Sequence, residues 1–120
     1  MVTAAAVMLA ILALLHLYFL VLEMFWWDTP RGRRIFGLTP EFSAASKTLA
    51  ANQGLYNGFL AAGMAWGLWL GAEGSAVRLF FIGCALIAGL YGAATASRKI
   101  LFVQAIPAAI ALALELLART

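Results

Sequence analysis

Four apolar runs, each about as long as the hydrocarbon core of a bilayer is thick, take up most of this chain and leave only short polar links between them. They lie at about residues 3–27, 47–71, 77–97 and 100–118. Lipid offers no partner to backbone N–H and C=O groups, so unbroken runs of this length can cross a membrane only as helices. The sequence therefore predicts an all-α integral membrane protein over residues 1–120, a four-helix up-and-down bundle with short connections. At 65% hydrophobic and 11% charged residues, the chain lies well outside the range of a soluble domain, which averages about 45–50% apolar and 25% charged.

The first run, opening MVTAAAVMLAILALLHL, lacks the positively charged start and the cleavage site of a signal peptide, and is expected to stay as a span. Trp26 and Trp27 close it as interfacial anchors. Asp28 to Pro40 is turn-rich, with Thr39, Pro40 and Glu41 in the order of an N-cap, a first-turn proline and a first-turn acid. A helix restarts there, and its first turns are expected to form a short interfacial helix leading into the second span.

The lysines and arginines orient the bundle. Arg31, Arg33, Arg34 and Lys47 sit in the first link, and Arg98 and Lys99 in the third, whereas the other side carries only Arg78 and Arg119. Positive-inside bias puts the basic links in the cytoplasm and both termini outside, with these residues contacting the interface and its lipids. The net charge of +3 and pI near 9.5 do not point to nucleic acid, because no basic face or known binding motif accompanies them. Cys84, alone in the sequence, reads as a buried inert thiol.

His16 and Glu23 interrupt the first span. Seven residues apart, they share one helix face about 10 Å apart along the axis, and ionisable groups at such depth read by default as a functional site. In the second span Asn52, Gln53, Tyr56 and Asn57 fall within one broad face expected to point inward, continued by Gly63, Gly67 and Gly71 as sites of close helix approach. Counted from the cytoplasmic ends, Glu23, Gln53, Tyr91 and Gln104 lie about 6–9 Å deep, and His16 and Asn57 about 15 Å. All four helices would thus add polar groups to the cytoplasmic half, while the outer half is nearly pure hydrocarbon. Pro107 is expected to kink the last span.

The strings HLYFLVLEMFWW, TPRGRRIFG, KTLAANQGLYNGFLAAG and SRKILFVQAIPA resemble the small bacterial membrane proteins grouped as domain of unknown function 1304. The resemblance covers nearly the whole chain. It implies a four-span inner-membrane protein and carries no established activity. His16, Glu23, Lys47, Asn52, Gln53, Tyr56, Asn57 and Gln104 are the positions that match its motif strings.

Three functions are compatible with these residues. The first is a cytoplasm-facing intramembrane pocket for a small, partly apolar molecule or lipid, lined by His16, Glu23, Asn52, Gln53, Tyr56, Asn57, Tyr91 and Gln104, with proton-coupled transport as an extension. The second is an intramembrane enzyme on a lipidic substrate, with Glu23 and His16 as acid and base. The third is a structural or assembly protein, in which Gly54 and Gly58 form a homodimer contact and Glu23 pairs with Arg98 or Lys99. No cofactor is expected. Nor is a metal, since one histidine and one glutamate make a sparse ligand set and carboxamides bind transition metals poorly.

Overall fold

The computed structural model describes residues 2–119, and among these every regular element is helical. The order is α1 (Val2–Met24), α2 (Pro30–Phe36), α3 (Pro40–Trp69), a 3₁₀ turn (Gly71–Gly74), α4 (Ser75–Thr95), a π-helical stretch (Leu101–Ala105) and α5 (Ile106–Ala118). Three segments are long and apolar enough to cross a membrane: Val2–Met24, Gly71–Thr95 and Leu101–Ala118. The 30-residue α3 has the length but is not among them. Its Lys47, Asn52, Gln53 and Asn57 dilute the apolar run from which a second span was read.

The chain divides into two compact units, one comprising residues 14–59 and the other the residues before Leu14 together with those from Leu60 onward. They differ in what they bury. The larger unit buries Leu9, Leu12, Met64, Ile82, Ala85 and Ala108, with Glu115 the charged exception. The smaller buries Leu22, Ala50, Gly32 and Gly54 but also the polar His16, Ser43 and Asn57.

In the smaller unit the link after α1 is more ordered than its turn-rich composition suggested. α1 ends at Met24, where the N–H groups of Phe25 and Trp26 both donate to the Val21 carbonyl, three residues short of the expected end at Trp27. Thr29, extended at φ −130° and ψ 161°, then caps α2: its hydroxyl accepts from Gly32 N at 3.2 Å, and Pro30 occupies the first turn. Gly37 closes α2 at φ +67°, a left-handed conformation that strains residues with a Cβ. Gly32 is buried so tightly that a Cβ there would run into the Trp26 carbonyl, which holds α2 against the turn it follows.

This corrects the position of the short helix. It is a separate element, not the opening turns of the second span. Thr39 does cap α3 as expected, accepting from Phe42 N at 3.1 Å, but α3 then runs from Pro40 without a break. The cap signal at Thr29 and Pro30 repeats the one at Thr39 and Pro40 and could have been read the same way. Side chains tie link to helix. Asp28 accepts from Arg33 at 3.0 Å and from the Ser43 hydroxyl at 2.7 Å, while Trp27 Nε1 donates to Ser46 Oγ at 2.9 Å.

In the larger unit, α4 packs on both the π-helical stretch and α5. Pro107 lacks an N–H, and the chain accommodates it by widening the preceding turn: Ile106 N donates to Leu101 O, five residues back, and the proline falls in the first turn of α5. Gly89 makes room for this stretch, since a Cβ there would lie 2.9 Å from Ala105 N. Gly63 admits the Phe81 ring and Gly67 admits Arg78, in keeping with close approach. Gly71 has a different role from the one expected. At φ +63°, with nothing near its Cβ position, it forms the left-handed joint that ends α3.

Candidate functional site

α1 and α3 bring Glu23 and Asn57 together. Asn57 Nδ2 donates to Glu23 Oε1 at 2.5 Å, in a location where Asn57 is only 7% exposed and Glu23 half-buried. The close approach that makes this bond depends on the glycines flanking it. A Cβ on Gly54 would stand 2.8 Å from Met24 Cγ and 3.0 Å from Glu23 Cβ, and one on Gly58 would stand 2.6 Å from Leu20 Cδ1. The Gly54 and Gly58 face packs against α1 of the same chain. Glu23 takes a neutral carboxamide as its partner; Arg98 and Lys99 are exposed.

His16 lies two turns before Glu23 in α1 and is fully buried, with the Phe19 ring edge-on to it at a centroid distance of 5.3 Å. His16, Glu23 and Asn57 all belong to the smaller unit, whose buried polar residues are His16, Ser43 and Asn57. A carboxylate holding a carboxamide, with an imidazole further along the same helix, can accept and donate hydrogen bonds to a polar group that enters from lipid, and can take up protons.

The remaining predicted lining residues are elsewhere. Asn52 and Gln53 are exposed, as are Tyr56 at 54% and Tyr91 at 71%. The reason is angular. The buried line of α3 runs through Ala50, Gly54, Asn57, Ala61 and Met64, so the inward direction passes along one edge of the broad polar face and leaves the rest of it outside. Gln104 is half-buried in the larger unit, where its side chain donates to the Ala85 carbonyl at 2.9 Å and joins the π-helical stretch to α4. Of the eight predicted residues, Glu23 and Asn57 meet, and His16 is buried two turns earlier on the helix that carries Glu23.

The larger unit holds a polar cluster that the sequence reading missed, in a region expected to be hydrocarbon. Arg78 Nε donates to Glu115 Oε1 at 2.8 Å, both side chains being largely buried, and Arg78 Nη1 donates to the carbonyls of Gly67 and Gly71 at 2.8 and 2.6 Å. These carbonyls belong to the last turn and C-terminal joint of α3, where helices leave acceptors unsatisfied. The signal was present as one buried-looking acid in the last run and one arginine early in the third, but they stand 37 residues apart. Cys84 is free and half-buried, where full burial was expected. Among the described residues no group of three or more His, Cys, Asp or Glu side chains could hold a metal ion.

These features define a class: a small all-α protein with, among the described residues, three apolar helices of membrane-crossing length and buried polar side chains in each of its two units. The chain belongs to the family described as "Protein of unknown function (DUF1304)", whose match spans residues 10–116 and includes all four of the strings quoted above. It is similar to the uncharacterized protein YpaA of Lactococcus lactis subsp. lactis (strain IL1403), with 32% identity over 106 residues, covering 85% of this chain and 88% of the relative. No solved structure matches the chain.

Proposed function

We propose that this protein is a multi-pass membrane protein of the bacterial inner membrane, in which His16, Glu23 and Asn57 form an intramembrane polar site for a small, partly apolar molecule or lipid. In this reading α3 completes a four-helix bundle with the three more apolar helices. The basic links lie in the cytoplasm, both termini lie outside, and the ligand reaches the site from the cytoplasmic side or the inner leaflet. Protonation of His16 and Glu23 gates binding. The observation that carries the reading is the Glu23 to Asn57 hydrogen bond: a carboxyl group held between α1 and α3 by a neutral partner keeps lone pairs available for a further donor.

The test is a thermal-shift screen of the detergent-purified protein against lipids and membrane-soluble metabolites, run in parallel on Glu23→Gln. A binder present at about 100 times its Kd adds roughly 2.7 kcal/mol of stability, which is readily seen as a rise in Tm. We expect at least one compound class to stabilise wild type and to lose that effect in the variant. Identical shifts for the two proteins across the whole screen would take Glu23 out of any binding role.

A further inference from the structure

The basic link between α1 and α3 does not present its arginines as an undifferentiated positive surface. Arg33 is held by Asp28 at 3.0 Å. Arg31 and Arg34 have no carboxylate partner among the described residues; both are exposed, and they sit one turn apart on α2, on the same side. Together with Trp26, Thr29 and Pro30 they line an open cavity of about 410 Å³. Part of its wall is held in place. The Arg31 guanidinium lies over the Trp26 ring at 5.0 Å, a cation–π contact that restrains its position, and α2 is pinned to the turn beneath it by the Thr29 cap and the tight seat of Gly32. Thr29 Oγ1 is already engaged, donating to Trp26 O at 2.6 Å and accepting from Gly32 N. The donors left for a ligand are thus two guanidinium groups beside an indole, immediately after the end of an apolar helix.

We propose that this cavity is a binding site for the phosphate of an anionic membrane phospholipid, with Arg31 and Arg34 on the phosphate oxygens and Trp26 against the glycerol and upper acyl region. Guanidinium groups suit phosphate because their planar N–H forks match its oxygens two at a time. Tryptophan at the end of an apolar helix sits at headgroup depth. The charges lie where a negatively charged leaflet would meet them, and this placement rests on the membrane reading above. Phosphate in solution offers the same oxygens, but gives the indole face nothing to cover.

The experiment is native mass spectrometry of the full chain in neutral detergent, titrated with phosphatidylglycerol or with phosphatidylcholine of the same acyl chains. Wild type is compared with Arg31→Gln/Arg34→Gln and with Arg98→Gln/Lys99→Gln, which removes the same charge elsewhere; circular dichroism verifies that helix content is kept. We expect wild type to retain phosphatidylglycerol in preference to phosphatidylcholine. The first double variant should bind it roughly 10–30-fold more weakly, at about fivefold per basic residue, and the second should change it little. Equal losses in the two variants would replace the site with diffuse charge attraction and overturn the proposal. Displacement of the lipid by millimolar inorganic phosphate would assign the site to free phosphate instead and overturn its lipid part. A protein that co-floats with vesicles yet shows no headgroup preference defeats this proposal alone, whereas one that stays monodisperse without detergent and floats with no vesicle defeats the membrane reading as well.

Discussion

Asn57 shows how narrow the margin is between a buried and an exposed position on one helix face. It follows Tyr56 directly, and the one faces Glu23 while the other is more than half exposed. Replacing Asn57 with Leu leaves a carboxyl in an apolar setting without its donor, a change worth about 1–2 kcal/mol. We expect a lower Tm in detergent, with Glu23→Gln in the same background recovering part of the loss. A variant as stable as wild type would mean that the hydrogen bond has no energetic weight. Gly54 makes a second prediction at this scale. An isoleucine there would press on Met24, on Glu23 Cβ and on the Leu20 carbonyl, whose nearest approach to the Cβ is 3.2 Å. Overpacking of this kind costs about 1–3 kcal/mol, so Gly54→Ile should lower Tm and leave the oligomeric size in detergent unchanged. A change in size at unaltered stability would instead mark this face as a contact between copies of the chain.

Between elements, the Arg78 and Glu115 pair joins α4 to α5, and the two remaining Arg78 bonds reach the end of α3. Breaking such a pair on one side strands a buried charge and costs about 3–5 kcal/mol, whereas replacing both partners with apolar residues of similar volume is often close to neutral. Arg78→Met and Glu115→Leu should therefore each destabilise strongly, and the double variant should be more stable than either. Strict additivity of the two losses would show that the pair does not act as a unit. The double variant still leaves the Gly67 and Gly71 carbonyls without their donor, so full recovery is not expected. At the same scale, the π-helical stretch before Pro107 is a local answer to a missing N–H, and Gly89 across from it is the residue that lets that answer pack.

At the scale of the whole molecule, the count of crossings decides which side each terminus faces. Among the described residues, three segments meet the requirements of a span by length and composition alone. If α3 also crosses, as proposed, the termini share a side, and with the basic links inside that side is external. Fusing a reporter active only outside the cytoplasm to each end in turn should give activity in both fusions. Activity in one fusion alone would mean an odd number of crossings and would leave α3, with its exposed Asn52 and Gln53, at the surface of the membrane.

Class and helix content were legible in the sequence because both follow from one-dimensional quantities. The length of an apolar run and the insolubility of an unpaired backbone in lipid leave helix as the outcome, and a threonine followed by proline marks where a helix starts whatever surrounds it. The family, too, could be named from strings that are each contiguous in the sequence. What the sequence left open is the direction of each helix about its own axis. A polar face as broad as that from Asn52 to Asn57 has no single inward direction until a neighbour packs on it, and here Leu20, Glu23 and Met24 select the edge through Gly54 and Asn57. The same limit hid Arg78 and Glu115. Partners 37 residues apart have no local signature, and only the packing of α4 on α5 brings the carboxylate within reach of the guanidinium.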